Sequence, residues 1–271
     1  MTGRGTVPVW PVSRRRRTEP QGNADLVLTL FDGKAASWPA KYAPDGQLAG
    51  RLCQLAEAVG GRVRAGGELL DLGCGSGELA RHLARAGYRV VGCDIAPAML
   101  RQAADADFGG AVTWVRLDPR WRALPFAAAS VDAVVAASVL EYVADPSAVL
   151  RECARVLRPG GALVCTVPDV AHPVRWLECP LAWAARIPLG GVSAAGRPRL
   201  ASYLTYLRIS RHRKTARWWH AAGQQAGLWP VPDPVTGKPR APLRLLTFTR
   251  PGGTSGPTFD TSEGTCDDSN D

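Results

Sequence analysis

The chain has 271 residues and a formal net charge of +9 at neutral pH, a length that supports one sizeable hydrophobic core with additional segments. Its seven cysteines include no C-x-x-C pair, so the sequence predicts neither a disulfide framework nor a metal site. No apolar run reaches the roughly 18 residues of a membrane-spanning helix, and no apolar segment follows the arginines at 14–17, as a secretory signal requires. We therefore expect a soluble, cytoplasmic protein.

Both ends of the chain are predicted to be disordered. Residues 1–24 are rich in Pro, Gly and Arg and lack a periodic apolar pattern, which is typical of a basic disordered arm. Residues 251–271 are acidic and poor in apolar residues, which predicts a disordered tail. The remaining residues, 25–250, are expected to form one domain.

Within this domain, apolar strands alternate with helices. Strands are predicted at 68–73, 89–94, 112–117, 131–137, 162–167, 228–231 and 243–249. Helices are predicted at 46–59, 77–86, from 97, at 146–157 and at 214–226, with residues 158–161 as a loop before the fifth strand. Asp145 followed by Pro146 is a typical helix start, because the carboxylate accepts a backbone hydrogen bond and proline suits the first turn. The alternation predicts an α/β fold with a doubly wound, mostly parallel sheet of seven strands and helices on both faces.

One segment, residues 170–213, breaks this alternation after the fifth strand. Long insertions in compact domains are commonly lids or binding loops, so we predict that this one covers a substrate. Between residues 171 and 217 the chain has nine basic residues and a single acid, Glu178. The excess positive charge of the protein is therefore concentrated in and next to the insertion.

The most informative motif is the sequence LLDLGCGSGELA at 69–80. A strand, a tight glycine turn and a helix start allow backbone N–H groups to approach a ligand closely. The next predicted strand ends at Asp94, and a carboxylate at that place can accept both hydroxyls of a ribose. These features predict a site for a nucleoside cofactor.

The spacing around the turn distinguishes two cofactor classes. Dinucleotide sites use G-x-G-x-x-G, whereas this chain has G-x-G-x-G with Asp71 two residues before the first glycine. A carboxylate there would repel a pyrophosphate but would attract an ammonium or sulfonium group. S-adenosylmethionine (SAM) has both groups and a ribose, so the motif favours SAM over a dinucleotide.

Four segments together resemble class I SAM-dependent methyltransferases, most closely the ubiquinone/menaquinone-type and small-molecule methyltransferase group. They are LLDLGCGSGELA, VVGCDIAPAML, ALPFAAASVDAVVAASVLEYV and VLRECARVLRPGGALVCTVP. The resemblance covers about residues 66–168 and implies a Rossmann-like fold and methyl transfer from SAM to an acceptor by in-line displacement.

By the same resemblance, a set of residues is expected to bind the cofactor: Asp71, Gly73, Cys74, Gly75, Gly77, Asp94, Ile95, Met99, Asp118, Ser138 and Leu140. Asp71 and the glycine turn would hold the methionine portion and sulfonium, and Asp94 the ribose. Asp118 would face the adenine amine, although two extra residues follow it and would bring Arg120 or Trp121 into the adenine pocket.

Two residues are candidates for a catalytic role, His172 as a general base and Tyr142 in the loop that normally faces the transferring methyl group in relatives. His172 follows the fifth strand on the face where strand ends build the site, and histidine is the usual general base. Tyr142 lies in the loop after the fourth strand, where many relatives have histidine, although it could equally be a packed aromatic. Trp38 and Tyr42 precede the core and would either fold over the cofactor, as in relatives, or serve packing.

The acceptor is expected to be a small or medium-sized molecule: a secondary metabolite, a sugar, or an acidic or phosphorylated compound. The last class is included because arginine pairs well with phosphate and carboxylate.

Three alternative functions use the same sequence features. The basic insertion would suit an RNA methyltransferase, although no N-P-P-Y tetrapeptide or Pro-Cys nucleophile follows the fourth strand. Residues 173–189 would suit a membrane-surface enzyme acting on a lipid-linked acceptor, and a non-catalytic SAM-binding protein would keep the same glycine turn. The oligomeric state and the methylated atom stay open.

Overall fold

The computed structural model describes residues 22–46, 48–175, 178, 198–232 and 242–252. Its helices are α1 (Gly22–Lys34), α2 (Ala49–Gly60), α3 (Glu78–Arg85), α4 (Pro97–Asp105), α5 (Pro146–Val156), α6 (Pro198–Ile209) and α7 (Ala216–Gln225). Its strands are β1 (Glu68–Leu72), β2 (Arg89–Asp94), β3 (Val112–Arg116), β4 (Val131–Ala137), β5 (Leu157–Pro168), β6 (Trp229–Val231) and β7 (Leu243–Thr249). The predicted tail beyond residue 252, most of the predicted arm and residues 179–197 of the insertion lie outside the described residues.

The seven strands form one sheet in the order β3-β2-β1-β4-β5-β7-β6. Strands β1 to β5 pair in parallel, whereas β7 is antiparallel to both β5 and β6. This confirms the predicted mostly parallel, doubly wound sheet. The central strands are nearly continuous apolar runs because helices cover both of their faces.

Two elements differ from their predictions. Residues 158–161, predicted as a loop, belong to β5, whose pairing with β4 shifts from Val131↔Leu157 to Ala133↔Ala162. The Pro-Gly-Gly sequence is accommodated by this irregularity in the ladder instead of ending the strand. Helix α1 was not predicted, and its first residues, 22–24, fall in the segment expected to be disordered.

The core has two layers, one on each side of the sheet. On one side Leu150 of α5 and Trp219 of α7 pack with Phe248 of β7, and on the other Leu55 of α2 and Leu83 of α3 pack with the sheet. The N-cap predicted for α5 is confirmed, because the Asp145 carboxylate accepts a hydrogen bond from the Ala148 N–H at 3.1 Å. In the described part of the chain no helix is both long enough and apolar enough to cross a membrane.

Gly77 is needed where α3 begins against the sheet. Its φ is +80°, and a Cβ atom there would lie 2.4 Å from the Trp114 ring and 2.9 Å from the Ala103 Cβ. Gly87, just after α3, also has a positive φ, +90°, but a Cβ there would have open space. The two glycines therefore share a backbone conformation and differ in steric surroundings.

Gly77→Ala should destabilise the protein more than Gly87→Ala by about 1–3 kcal/mol, because both changes strain a left-handed backbone and only the first overpacks the core. Urea unfolding of the two variants measures this difference in free energy of unfolding. Equal losses would show that the contact with Trp114 and Ala103 relaxes without cost.

Candidate active site

A cavity of about 1260 Å³ lies at the carboxyl ends of the central strands. Pockets for a single small ligand usually measure ~300–1,000 Å³, and this cavity exceeds that range. It is lined by the turn after β1, the end of β2, the loop after β4, the N-terminal helices and the insertion. Ligands in open α/β sheets bind at this edge of the sheet.

The turn after β1 is held against the end of β2. The N–H groups of Gly73 and Cys74 donate to the Cys93 carbonyl at 2.7 and 3.0 Å. The Gly75 N–H donates to Asp94 Oδ2 at 2.9 Å, and the Ala96 N–H donates to Asp94 Oδ1 at 2.8 Å. The Asp94 carboxylate is thereby fixed at the cavity wall, although burial raises its pKa.

Asp71 is the penultimate residue of β1 and is only 1% exposed. Its Oδ2 is buried and has no hydrogen-bond partner among the described residues. Burial raises the pKa of this carboxyl to about 7; the Asp94 charge adds to that effect and Arg51 opposes it. A cationic ligand would stabilise the ionised form of this buried carboxyl, because it would supply the partner that Oδ2 lacks.

Arg51 of α2 joins the carboxyl ends of two neighbouring strands, β4 and β5. Its Nη2 donates to Ser138 Oγ at 2.8 Å and to Thr166 Oγ1, which also accepts from the Ser138 N–H at 3.0 Å. Ser138 has a φ of +57°, a conformation that costs free energy for a residue with a side chain. Sequence reasoning missed Arg51, because an arginine on an amphipathic helix normally indicates an exposed face.

The N-terminal segment covers the glycine turn. Trp38 lies between two short 3-10 helices, Ala35–Ser37 and Pro39–Tyr42. Its Nε1 would be 3.3 Å from a Cβ at Gly75, whose φ is +55°, so glycine suits both the turn and the close approach of the indole. Asp32 Oδ1 accepts from the Ala98 N–H at 2.7 Å and fixes α1 to the start of α4. Both Trp38 and Tyr42 line the cavity.

A cluster of aromatic rings forms part of the cavity wall. The Tyr142 ring contacts Phe31 and Tyr206, with ring centroids 5.2 and 6.3 Å away. The Tyr203 ring stacks on Tyr206 at 6.0 Å. All four residues belong to the cavity lining, which makes this aromatic wall suitable for a ring or another apolar group.

The single acid of the insertion is at the centre of an ion-pair network. Glu178 Oε2 accepts from Arg175 at 2.7 Å and from Arg213 at 2.8 Å, and Oε1 accepts from the Tyr203 hydroxyl at 2.8 Å. Arg175 and Glu178 are 7% and 5% exposed. Part of the positive charge that the sequence concentrates here is therefore paired inside the protein.

The structure places most of the predicted cofactor-binding residues around the cavity. The residues that line it are Asp71, Gly73, Cys74, Gly75, Asp94, Ile95, Met99 and Ser138, together with the predicted catalytic Tyr142. Arg120 and Trp121, which the extra residues after Asp118 were expected to bring into the adenine pocket, also line the cavity.

Four predicted site residues do not line the cavity. Gly77 packs α3 on the sheet, as described above. Leu140 is completely buried in the core. Asp118 is exposed, and its Oδ1 accepts from the Arg120 N–H at 2.7 Å. His172 is also absent from the lining, and its Nδ1 accepts from the Val174 N–H at 3.3 Å. The histidine that does line the cavity, among the described residues, is His212.

Glu141 is a cavity residue that sequence reasoning missed. It is 1% exposed and its Oε2 is buried without a hydrogen-bond partner among the described residues. Burial raises the pKa of the carboxyl to about 7, while Arg51 and Arg175 lower it. The sequence SVLEYV pairs this glutamate with no second catalytic or ligating residue at a characteristic spacing, so no motif indicated that it is buried in a cavity.

The comparisons with known proteins agree with this geometry. A family model described as a methyltransferase domain matches residues 70–165, the stretch that carries the glycine turn, Asp94 and Glu141. Residues 70–165 therefore match a methyltransferase domain. A ubiquinone biosynthesis O-methyltransferase from Xanthomonas oryzae pv. oryzae is 41% identical over 103 residues, which are 36% of this chain and 42% of that protein. The chain thus matches less than half the length of this curated relative.

Solved structures share the fold of this methyltransferase domain over most of the chain. The magnesium protoporphyrin IX methyltransferase from Synechocystis PCC 6803, solved with bound SAH, has a TM-score of 0.60 at 20% identity and covers 83% of this chain and 99% of its own. A methyltransferase in complex with the Haloferax volcanii Trm112 methyltransferase activator has a TM-score of 0.58 at 24% identity, with 82% and 97% covered. These likenesses establish the fold.

Asp71→Asn should make the ligand-free protein more stable than the wild type above about pH 7, and the difference should disappear towards about pH 4. The raised pKa means that folded Asp71 binds more protons than unfolded Asp71 between its ordinary value and about 7, so wild-type stability falls as pH rises through this range. Each pKa unit corresponds to about 1.4 kcal/mol, which limits the gain to roughly 4 kcal/mol. Urea unfolding across this pH range measures it, and a pH-independent difference would contradict the burial of this charge.

Proposed function

We propose that the protein transfers a methyl group from SAM to a small-molecule acceptor by in-line displacement. The observation that carries this proposal is one cavity whose lining combines the glycine turn and two buried carboxylates with a cluster of aromatic rings. When bound, SAM supplies a methyl group on a sulfonium, whose thioether leaves without protonation. The contribution of the protein is then to hold and orient the acceptor and to exclude water.

The residues at the turn fit such a cofactor. The unpartnered Oδ2 of Asp71 would interact with the positively charged methionine portion. Asp94 would accept the ribose hydroxyls, and Ile95 and Met99 would flank the adenine. Arg51 lines the same cavity and would balance the carboxylate of the methionine portion.

The acceptor would lie against the aromatic wall. Tyr142 and Tyr206 offer ring faces to a planar or apolar group, while Arg175, Arg211 and His212 also line the cavity and would favour a negatively charged substituent. This supports a small acidic acceptor. The named relatives differ in their acceptors, so likeness alone does not select one.

No observation in the described structure favours a second function. Two arginines of the insertion are paired with Glu178, which leaves less free charge for an RNA backbone than the sequence suggested. The proposed membrane-interface segment, 173–189, lies mostly outside the described residues, so that alternative stays a prediction.

SAM should raise the melting temperature of the wild type, and Asp94→Ala should weaken SAM binding by roughly 10- to 100-fold, because a charged hydrogen-bond partner of about 1.5–3 kcal/mol is lost. Isothermal titration calorimetry with SAM and with S-adenosylhomocysteine measures the affinity.

The matched control for that experiment is Asp105→Ala, at the end of α4. It removes an exposed carboxylate outside the described cavity lining, so SAM affinity should stay at the wild-type value. Equal affinities for wild type and Asp94→Ala would remove the ribose role from Asp94. Failure of the wild type to bind either ligand would overturn the proposed function.

A further inference from the structure

Glu141 occupies the loop directly after β4 with its backbone fixed and one carboxylate oxygen free. Its carbonyl accepts hydrogen bonds from the Arg211 N–H at 3.0 Å and the His212 N–H at 3.3 Å. The side chain lines the cavity, and its Oε2 is buried with no partner among the described residues. The backbone thus joins the loop to the insertion, while the carboxylate has an unused acceptor.

Leaving a carboxylate buried in this way costs free energy, because a buried charge without full hydrogen bonding loses its hydration. The charged groups that face it are Arg51 of α2 and Arg175 of the insertion, which favour ionisation. Neither arginine forms an ion pair with Glu141 in the described structure. The carboxylate has a hydrogen bond with the Tyr142 side chain, but it has no ion pair among the described residues. Such a carboxylate inside a ligand cavity is typical of a functional group.

The other titratable groups around Glu141 are poorer proton acceptors. Burial and Glu141 raise the pKa of the Tyr142 hydroxyl well above its ordinary value. The same charge, together with burial, raises the pKa of Tyr206 on α6 and of the Cys165 thiol on β5. These groups stay protonated near neutral pH. Burial lowers the pKa of His212, which makes this histidine the rival base in the cavity.

We propose that Glu141 is the general base that takes the proton from a neutral hydroxyl or amine acceptor. The inference rests on the proposed function and deepens it, because it restricts the acceptor to a group that loses a proton on methylation. The acceptor oxygen or nitrogen forms a bond to the methyl carbon while the carbon–sulfur bond breaks and its electron pair stays on sulfur. The acceptor proton moves to Oε2 of Glu141, so the sulfonium charge and the carboxylate charge are neutralised together.

The first test is the pH dependence of methyl transfer at saturating SAM, with labelled SAM and a panel of catechols, hydroxybenzoates and aryl amines. Wild-type kcat should fall below about pH 7, because a protonated Glu141 cannot accept a proton. Glu141→Gln should lower kcat by about 10²- to 10⁴-fold and abolish this fall of kcat at low pH (the acidic limb of the profile). Glu141→Asp should restore the acidic limb. Asp71 is unchanged in Glu141→Gln, so a limb that arose from the titration of Asp71 would persist in this variant.

His172→Gln and His212→Gln are the rival variants. Loss of the acidic limb in either of them, with the limb intact in Glu141→Gln, would overturn the proposal. So would a Glu141→Gln variant that methylates the same acceptor at the wild-type rate.

The second test does not depend on turnover. Infrared difference spectra of wild type and Glu141→Gln, each loaded with S-adenosylhomocysteine, should show a carboxylic acid band that belongs to Glu141 and grows as pH is lowered from about 8 to about 6. A band of constant intensity over this range, or no such band, would overturn the proposal. Both proteins should bind S-adenosylhomocysteine equally; if the wild type does not bind it, the proposed function itself fails.

Discussion

Buried negative charge at the carboxyl end of the parallel sheet is the constraint on which the rest of the site depends. Asp71 and Glu141 are each 1% exposed, and each has an oxygen without a partner in the described structure. Such groups cost free energy unless cations or protons reach them. Arg51 lowers the pKa of both carboxyls, and the hydroxyls of Ser138 and Thr166 hold its guanidinium between them. The protein alone therefore compensates these charges only in part, and a cationic ligand would complete the compensation.

The strand order explains why these groups meet. Strands β1, β4 and β5 are neighbours in the sheet, and Ala137 at the end of β4 pairs with Thr166 of β5. Parallel strands place their carboxyl ends at one edge, so residues nearly 100 positions apart in the chain converge there. Helix α2 brings Arg51 to this edge, and α1 and Trp38 cover it.

The insertion shows how tertiary structure changes the meaning of a charge count. Its positive charge suggested a surface for an acidic partner, yet its single acid, Glu178, pairs with both Arg175 and Arg213. The same network carries Tyr203, which donates to Glu178 and stacks on Tyr206. The insertion thus supplies a structured aromatic wall for the cavity in addition to exposed basic residues.

The sequence by itself determined the alternation of strands and helices, the mostly parallel sheet and the glycine turn with Asp71 and Asp94. Those features depend on residues that are close together in the chain. Periodicity and helix capping define the elements, and a short turn joins the end of a strand to the next helix. The sequence could not show that Arg51 and Glu141 line the cavity, or that Gly77, Leu140 and Asp118 stay outside the described lining. Nor did it predict α1, whose residues also line the cavity. These outcomes were decided by tertiary structure, because burial, pairing and orientation of a side chain depend on segments that are distant in sequence and adjacent only in the folded sheet.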